Sequence, residues 1–302
     1  MCCLFGIYDY GHSLTAAQKK RLVSALAVAS EDRGTDATGI AYNHNGHLTV
    51  YKRPYPAHLM RFRLPDDAVC IMGHTRMTTQ GDEKHNYNNH PFEGTAGIPF
   101  ALAHNGVLYN DLAPRKDKKL PYTRIETDSY VAVQLLAQQD DMSFRSIRSA
   151  VEPLRGTLTL SVLDSRDNLY IIKGNNPLTL YHFPRMGLYV YASTEQILKK
   201  GLKKGMPRME QPFEVMIREG DILRIDRQGR YTVERFDTRN LWDGTAHFSW
   251  LYWDVYAGQD EYINDLKSVA SAYGYTPHDI DVFLSYGLCP EEIEEIMCCG
   301  EV

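Results

Sequence analysis

Short apolar runs separated by turn-forming residues recur along most of this chain and limit its fold more than any other feature. Asn45-Gly46 divides the runs 39–43 and 48–53, and a similar pair of runs surrounds Gln228-Gly229. Two turn residues between strand-length runs indicate β-hairpins. Hairpins build antiparallel or mixed sheets, so the pattern favours an α+β fold and argues against a doubly wound parallel sheet.

Further strands and two helices complete the predicted pattern. Apolar runs of strand length lie at residues 4–8, 69–75, 100–103, 158–163, 169–173, 178–183 and 188–192. Leu22, Leu26 and Ala29 recur at helical spacing, so a helix is predicted from Thr15 to about residue 32, with Ser13 or Thr15 as its cap. A second helix is predicted over residues 126–137.

Composition excludes several classes of function. The chain has 302 residues, 43% hydrophobic and 24% charged, which is typical of a globular protein with a substantial core. A net charge of −5 gives no bias toward nucleic acid or anionic lipid. No apolar run approaches membrane-span length and no secretory signal begins the chain, so we expect a cytoplasmic protein without nucleic-acid or membrane partners.

The cysteines and the missing nucleotide motif argue against a bound metal or cofactor. Six cysteines occur, none in a C-x-x-C pair. This spacing does not indicate a zinc site, and reduced thiols are the simplest interpretation. The G-x-x-x-x-G-K-[ST] loop that cradles nucleotide phosphates does not occur. We therefore predict no metal and no cofactor, and any ATP would be used by another protein.

Cys2 directly follows the initiator methionine. Removal of Met1 would leave a thiol and a free α-amino group on one residue. A terminal amine is a known base for activating its own side-chain nucleophile, and its ordinary pKa of about 7.7–8.0 leaves a useful neutral fraction near pH 7. Polar clusters end two of the predicted strands farther along, at His74-Thr75-Arg76 and at His104-Asn105-Gly106.

Five short motifs follow Cys2 in a fixed order. They are Arg33-Gly34-Thr35-Asp36-Ala37-Thr38-Gly39, Gly73-His74-Thr75-Arg76, Asn89-His90-Pro91-Phe92, His104-Asn105-Gly106 and Glu126-Thr127-Asp128. Together with Cys2 they resemble the class II glutamine amidotransferase domain, over residues 2–237. The resemblance implies the four-layer αββα sandwich of N-terminal-nucleophile hydrolases.

The resemblance implies catalytic roles for three residues. Cys2 would be the nucleophile and its own α-amine the base. Asn105 and Gly106 would hold the oxyanion, through the Asn side-chain amide and the Gly backbone N–H. One such donor is typically worth about 3–4 kcal/mol of transition-state stabilisation.

It also implies residues that bind glutamine. Arg76 would pair with the α-carboxylate and Asp128 with the α-ammonium, while Thr79 belongs to a loop that covers the pocket. Arg33 and Asp36 would support the Cys2 loop.

Two further points concern residues within or beside these motifs. His74, His90 and His104 are expected to be structural, because the terminal amine makes a separate base unnecessary. The sequence departs from the family at Cys3, where glycine is usual, and the added side chain is expected to restrict the backbone beside Cys2. It also departs at residues 77–80, so the loop over the pocket is expected to close differently.

The C-terminal region has a different pattern. Residues 238–258 form an aromatic-rich linker, and residues 259–302 carry signals for three short helices. Thr276-Pro277-His278-Asp279 begins one of them with a cap, a first-position proline and an acid in the first turn. This small helical appendage would either pack its aromatic residues on the main domain or dock a partner.

These observations predict a stand-alone glutaminase half of an amidotransferase. It would convert glutamine to glutamate through a γ-glutamyl thioester on Cys2 and pass ammonia to a separate ligase or synthase. Two alternatives remain at this point. One is a hydrolase of γ-glutamyl conjugates or other amides, and the other is a catalytically silent glutamine-sensing or partner-docking module.

Overall fold

The computed structural model describes most of the N-terminal four fifths of the chain. The described residues are 2–110, 112–207 and 210–241, with 263, 266–267, 270–285, 288, 293 and 296–297. The chain divides into two compact units, Met1–Leu241 and Trp242–Val302. The predicted linker lies outside the described residues from position 242 onward.

Fifteen strands and six α-helices occur in the described part. The strands are β1 (Cys3–Asp9), β2 (Ala37–His44), β3 (His47–Arg53), β4 (Cys70–Arg76), β5 (Phe92–Ala96), β6 (Ile98–His104), β7 (Val107–Leu108), β8 (Gly156–Thr157), β9 (Thr159–Asp164), β10 (Leu169–Lys173), β11 (Thr179–Phe183), β12 (Leu188–Ala192), β13 (Phe213–Val215), β14 (Asp221–Ile225) and β15 (Tyr231–Arg235). The helices are α1 (Ala16–Ala29), α2 (Leu112–Asp117), α3 (Tyr130–Ala137), α4 (Phe144–Val151), α5 (Glu195–Gly205) and α6 (Pro277–Ser285).

Two large antiparallel sheets form the centre of the first unit. One has the strand order β13-β11-β12-β1-β4-β2-β3 and the other β15-β14-β10-β9-β6-β5. The predicted hairpin at Asn45-Gly46 joins β2 to β3, and both turn residues have positive φ angles of 50° and 77°. These angles are those of the tight turn that connects two neighbouring antiparallel strands.

Helices cover the outer face of each sheet. α1 and α5 pack against each other and against the seven-stranded sheet, while α3 and α4 pack together beside β5 of the other sheet. An apolar layer between the sheets includes Leu4, Tyr8, Met72, Leu163 and Ile171, all fully buried. The arrangement is therefore two stacked sheets between two helix layers, which confirms the predicted sandwich.

The first helix begins as the sequence indicates. Thr15 accepts a hydrogen bond from the Gln18 backbone N–H, and the Gln18 side chain accepts one from the Thr15 N–H, which together form a capping box. The helix ends at Ala29 and continues as a short 3-10 turn over Ser30–Asp32.

One helical prediction differs from the structure, and three helices of the described part were not predicted. The helix predicted from residue 126 begins at Tyr130, because Thr127 and Asp128 use their side chains for tertiary hydrogen bonds. The helices α2, α4 and α5 were not indicated by the sequence pattern.

The second unit has a small core of its own. Its buried residues are Leu266, Ala270, Ile280, Ile293 and Met297. The predicted cap of α6 is present, since the Thr276 hydroxyl accepts the Asp279 N–H at 3.2 Å and Asp279 accepts the Thr276 N–H at 2.7 Å.

Candidate active site

Strand register brings several candidate residues to one end of the seven-stranded sheet. β1 pairs with β4 so that Cys3 lies opposite Thr75, and β2 pairs with β4 so that Ala37 lies opposite Arg76. Cys2 therefore lies beside the end of β4. The second sheet meets this end at β6, because the His74 ring donates from Nε2 to the His104 carbonyl at 3.0 Å. Asn105 and Gly106 follow immediately.

Cys2 is held by backbone contacts. Arg33 donates from Nε to the Cys2 carbonyl at 2.9 Å, and the Cys2 thiol lies 3.5 Å from the Met77 carbonyl oxygen. Although the side chain is partly exposed, loss of water around the sulfur raises the pKa of the thiol to about 11. Arg76 lowers that pKa and Asp128 raises it, by smaller amounts. A thiol with this pKa is protonated at neutral pH, so a base must remove its proton before attack.

The Asn105-Gly106 pair leaves β6 in a tightly packed turn. The Asn105 backbone exchanges hydrogen bonds with Thr159 at 2.9 and 3.0 Å. Gly106 has a φ of +152°, and a Cβ on it would lie 2.0 Å from the Thr157 carbonyl oxygen, so only glycine fits. The Asn105 side chain is buried, and its Oδ1 has no hydrogen-bond partner among the described residues.

Arg76 is a buried cation held by neutral groups. Its side chain is 2% exposed and donates to Asn89 Oδ1 and the Gln80 carbonyl, both at 2.6 Å, and to the Gly81 carbonyl at 2.9 Å. No carboxylate of the described chain lies within 4.0 Å of it. Burying a charge without a counter-ion is costly. The guanidinium is therefore ready to receive an anion from outside the chain.

Asp128 is the matching buried anion. It is 2% exposed and accepts the Leu108 backbone N–H at 2.6 Å, and its Oδ1 lies 3.3 Å from the Ser129 hydroxyl oxygen. Within the described residues no lysine, arginine or histidine lies within 4.0 Å of its carboxylate. An arginine and a carboxylate that each lack an internal counter-ion suit a ligand that carries both charges, such as a free amino acid.

The loop after β4 links these groups to the Cys2 region. Asp36 accepts the Thr78 N–H at 2.7 Å and donates its own N–H to the Arg76 carbonyl at 3.0 Å. Thr79 is exposed in this loop and makes no hydrogen bond within the described residues. Gly81 turns the loop back with a φ of +79° and presents its carbonyl to Arg76.

The three motif histidines form a buried group behind the site. The rings of His74 and His90 are 4.3 Å apart, and those of His90 and Phe92 are 4.4 Å apart. His104 donates from Nε2 to the Thr157 carbonyl at 3.1 Å, and its Nδ1 lies 2.8 Å from the Ser129 hydroxyl. Burial lowers the pKa of His74 to about 3 and also lowers the pKa of His90 and of His104. These rings are therefore neutral, and their contacts support the expected structural role.

Sequence reasoning missed several residues that hold this arrangement. Asn89 lies inside a quoted motif but was assigned no role, although it contacts Arg76. Ser129 bridges His104 and Asp128, and Ser193 lies between β1 and Asn105. Only the position of Ser193 directly after a predicted strand could have drawn attention to it.

Metal-binding clusters and membrane-spanning helices are both absent from the described residues. They contain no group of three or more His, Cys, Asp or Glu side chains placed to hold a metal ion. None of their helices is both long enough and apolar enough to cross a membrane.

Several curated proteins are similar to this chain, although no family model matches it. Glutamine–fructose-6-phosphate aminotransferase (isomerizing) of Caldanaerobacter subterraneus subsp. tengcongensis is 31% identical over 156 residues, which are 49% of this chain and 25% of the relative. The enzyme of that name from Halalkalibacterium halodurans is 28% identical over 235 residues, which are 72% and 38%. The 7-cyano-7-deazaguanine synthase of Sulfolobus acidocaldarius is 24% identical over 207 residues, which are 65% and 43%. The chain thus spans less than half the length of each relative.

Solved structures share the fold. The glutamine phosphoribosylpyrophosphate amidotransferase of B. subtilis matches with a TM-score of 0.60 and 19% identity, over 79% of this chain and 50% of that one. A structure described as the allosteric regulatory enzyme of purine biosynthesis matches with a TM-score of 0.62, 19% identity and the same coverage. The sequence relatives and the fold confirm the recognition made from the motifs. This chain is a homologue of the class II glutamine amidotransferases, which are enzymes, and it has their N-terminal-nucleophile hydrolase sandwich.

Proposed function

We propose that this chain hydrolyses the side-chain amide of glutamine and releases ammonia for transfer to an acceptor. The observation that carries the proposal is the pair of buried opposite charges, Arg76 and Asp128, neither of which has an oppositely charged side chain within 4.0 Å among the described residues. Glutamine supplies an α-carboxylate for the guanidinium and an α-ammonium for the carboxylate. Holding both ends of the amino-acid head positions the side-chain amide for attack.

The proposed reaction begins with release of the residue before Cys2. The free α-amine then takes the thiol proton, and the thiolate sulfur attacks the amide carbon. A base on the same residue can take the thiol proton without any other side chain. The oxygen of the tetrahedral intermediate would accept hydrogen bonds from the Asn105 side-chain amide and the Gly106 N–H.

Collapse of the intermediate breaks the carbon–nitrogen bond. The protonated amine gives its proton to the leaving nitrogen, so that ammonia departs and a γ-glutamyl thioester remains on Cys2. The amine next takes a proton from water, whose oxygen attacks the thioester and releases glutamate and the free thiol. The sum is glutamine plus water giving glutamate plus ammonia.

We also propose a recipient for the ammonia. The relatives named above are an aminotransferase and a synthase, and each is more than twice as long as the segment that matches this chain. Their length beyond the match supports an acceptor-binding part, and we propose a ligase or synthase in that role. The proposed location is the cytoplasm. Purification of the tagged chain with its bound proteins tests this part, and recovery of no ammonia-consuming enzyme would contradict it.

The central test combines intact mass with labelling. Wild-type protein is expected to begin at Cys2, to release glutamate from glutamine, and to bind one equivalent of a glutamine analogue that carries a diazoketone in place of the amide. Cys2→Ala should lose both the activity and the label. Cys70→Ala is the matched control, because Cys70 is a fully buried thiol in the neighbouring strand β4 and should keep both.

Other results would point to the remaining alternatives. Turnover of γ-glutamyl conjugates but not of free glutamine would indicate an amidase with a wider leaving-group site. A retained first methionine, glutamine binding and no turnover would indicate a sensing module. Equal labelling of wild type and Cys2→Ala would contradict the proposed nucleophile.

A further inference from the structure

Ser193 connects the strand that carries the nucleophile with the side chain of Asn105. It follows β12 directly and is fully buried. Its hydroxyl oxygen accepts the Leu4 N–H at 2.8 Å, and its own N–H donates to the Leu4 carbonyl at 2.9 Å. The same hydroxyl lies 3.4 Å from Asn105 Nδ2. Ser193 is thus fixed to β1 two residues from Cys2 and faces the Asn105 amide.

In this orientation of the Asn105 amide, Ser193 and Asn105 each have one hydrogen-bonding group without a good partner among the described residues. A serine hydroxyl has one proton to donate and two lone pairs to accept with. Here Ser193 accepts from Leu4 and from Asn105 Nδ2, so its proton is left without a strong acceptor. Asn105 Oδ1 is at the same time buried without a partner among the described residues. Buried polar groups of this kind are rarely left unpaired.

A half-turn of the Asn105 amide gives the Ser193 proton an acceptor and puts a donor, in place of an acceptor, at the buried position that lacks a partner. The turn exchanges Nδ2 and Oδ1, so that the Ser193 hydroxyl donates to Oδ1 while Nδ2 takes the unmatched buried position. The half-turn rotates only the side-chain amide and leaves the Asn105 backbone in place. That backbone is fixed by two hydrogen bonds with the Thr159 backbone, and the Asn105 carbonyl also accepts the Asn176 side-chain N–H at 2.8 Å.

We propose that Ser193 is a positioning residue that orients the Asn105 amide for the oxyanion. Its hydroxyl holds Oδ1, and the Nδ2–H group is thereby presented to the oxygen that becomes negative when sulfur attacks. The inference rests on the proposed function and adds one residue to it. Because Ser193 is itself bound to Leu4, the nucleophile and the oxyanion donor are placed relative to the same strand.

Cys3 offers a competing acceptor, which sharpens the test. Ser193 also contacts the buried Cys3 sulfur, and that contact lowers the pKa of Cys3 against a larger increase from burial. Sulfur is a weak acceptor compared with an amide oxygen. The Ser193 proton therefore goes to Asn105, and Cys3→Ala is expected to keep the wild-type kcat.

The experiment measures steady-state glutaminase kinetics of Ser193→Ala. One oxyanion donor contributes about 100- to 1000-fold to kcat, and loss of its orientation should lower kcat by about 10- to 100-fold. KM for glutamine should change by less than about 3-fold, since Ser193 touches neither Arg76 nor Asp128. Ser193→Thr, which restores the hydroxyl, should recover most of kcat.

A double-mutant cycle separates this role from a structural one. In an Asn105→Ala background there is no amide to orient, so adding Ser193→Ala should lower kcat by less than about 3-fold. Ser161→Ala is the matched control, because Ser161 is a fully buried serine on β9. It should leave kcat unchanged.

The outcomes distinguish the two proposals. Wild-type protein that begins at Cys2 and has no glutaminase activity contradicts the proposed function. Active wild type with an unchanged kcat in Ser193→Ala overturns the role of Ser193. The same conclusion follows if Ser193→Ala costs as much kcat with Asn105→Ala as without it, or if Cys3→Ala reproduces its loss. Should Ser193→Ala not fold, Ser193→Cys keeps a weak donor at similar size and should show an intermediate kcat.

Discussion

The two ends of β1 both bury charged side chains, but only one end neutralises them within the chain. At the far end, Asp9 and Lys19 form an ion pair of 3.4 Å with both side chains almost fully buried. Asp9 also accepts the Ser13 and Leu14 N–H groups, and Lys19 donates to the Ala68 carbonyl at 2.8 Å. Every strong charge at this end has its partner.

The Cys2 end also buries one cation and one anion, but these two side chains form no ion pair. Arg76 and Asp128 are as deeply buried as the other pair, yet each is hydrogen-bonded only to neutral groups of the described chain. The comparison shows how a structural ion pair differs from a binding site. In a structural ion pair the chain supplies both charges, whereas in a binding site the ligand supplies the opposite charge.

Acidification over its full range is expected to have the largest effect, and it should act at the Cys2 end. Burial lowers the pKa of His74 from an unfolded value of about 6.5 to about 3. As the pH falls, the unfolded chain binds the proton first, so stability is complete above about pH 7 and decreases between about pH 6.5 and 3. The difference between the unfolded and folded pKa of His74 corresponds to about 5 kcal/mol in the free energy of unfolding. About 2–3 kcal/mol of this is lost by pH 4.5.

Urea unfolding between pH 7.5 and 4.5 measures this loss. His74→Gln should flatten the dependence, whereas His47→Gln, at an exposed site on β3, should not alter it. An unchanged slope in His74→Gln would show that the acid sensitivity arises elsewhere.

The Asp9–Lys19 ion pair at the far end of β1 should contribute to the stability of the fold. Lys19→Met leaves Asp9 buried without its cation, and breaking a buried pair in this way typically costs about 3–5 kcal/mol. We expect that loss in the free energy of unfolding, with KM for glutamine unchanged. Lys20→Met, at the exposed neighbouring position, should change stability by less than about 0.5 kcal/mol. A loss below about 1 kcal/mol in Lys19→Met would mean that the pair is not structural.

The buried charges at the Cys2 end of β1 should instead determine the affinity for glutamine. Arg76→Lys keeps a cation that can still donate to the loop carbonyls but cannot make two parallel bonds to a carboxylate. We expect kcat/KM for glutamine to fall by about 100-fold, or about 2.7 kcal/mol, with a smaller change in unfolding free energy than in Lys19→Met. Arg53→Lys, at an exposed position at the end of β3, is the control. Wild-type kcat/KM in Arg76→Lys would remove Arg76 from the binding site.

Ligand-linked stability gives an effect of the same size as the expected loss of affinity in Arg76→Lys. In Cys2→Ala, glutamine at 100 times its Kd should raise the free energy of unfolding by about 2.7 kcal/mol, because it binds only the folded state. Asp128→Asn in the same background should remove most of this gain, since the α-ammonium loses its counter-ion. Thermal unfolding with and without glutamine measures it. Equal stabilisation of both proteins would show that glutamine binds without Asp128.

Local patterns predicted the sheets better than the helices. The hairpin at Asn45-Gly46 follows from backbone freedom at the turn, which is a property of the residues themselves. Helix α5 carries Gly201 and Gly205, and glycine is unfavourable in a helix interior. The structure explains both, because a Cβ on Gly201 would lie 3.0 Å from Leu26 Cα and one on Gly205 would lie 2.9 Å from Leu22 Cα. These glycines permit close packing on α1, which no local pattern contains.

For the site, the motif residues were predictable and their partners were not. Cys2, Asn105, Gly106, Arg76 and Asp128 could be named because each belongs to a short motif, and the structure brings these motifs to one end of the sandwich. Their catalytic and binding roles stay predictions until the experiments above are done.

The amino-acid sequence by itself determined the strand pattern, the order of the motifs and the chemical types of the candidate groups, because these depend on residues close together in the chain. The tertiary structure alone decided which buried charges are paired and that Ser193 lies beside Asn105, 88 residues away in sequence. Pairing depends on atoms brought within hydrogen-bond distance by the stacking and register of the two sheets. A linear pattern contains no measure of that distance.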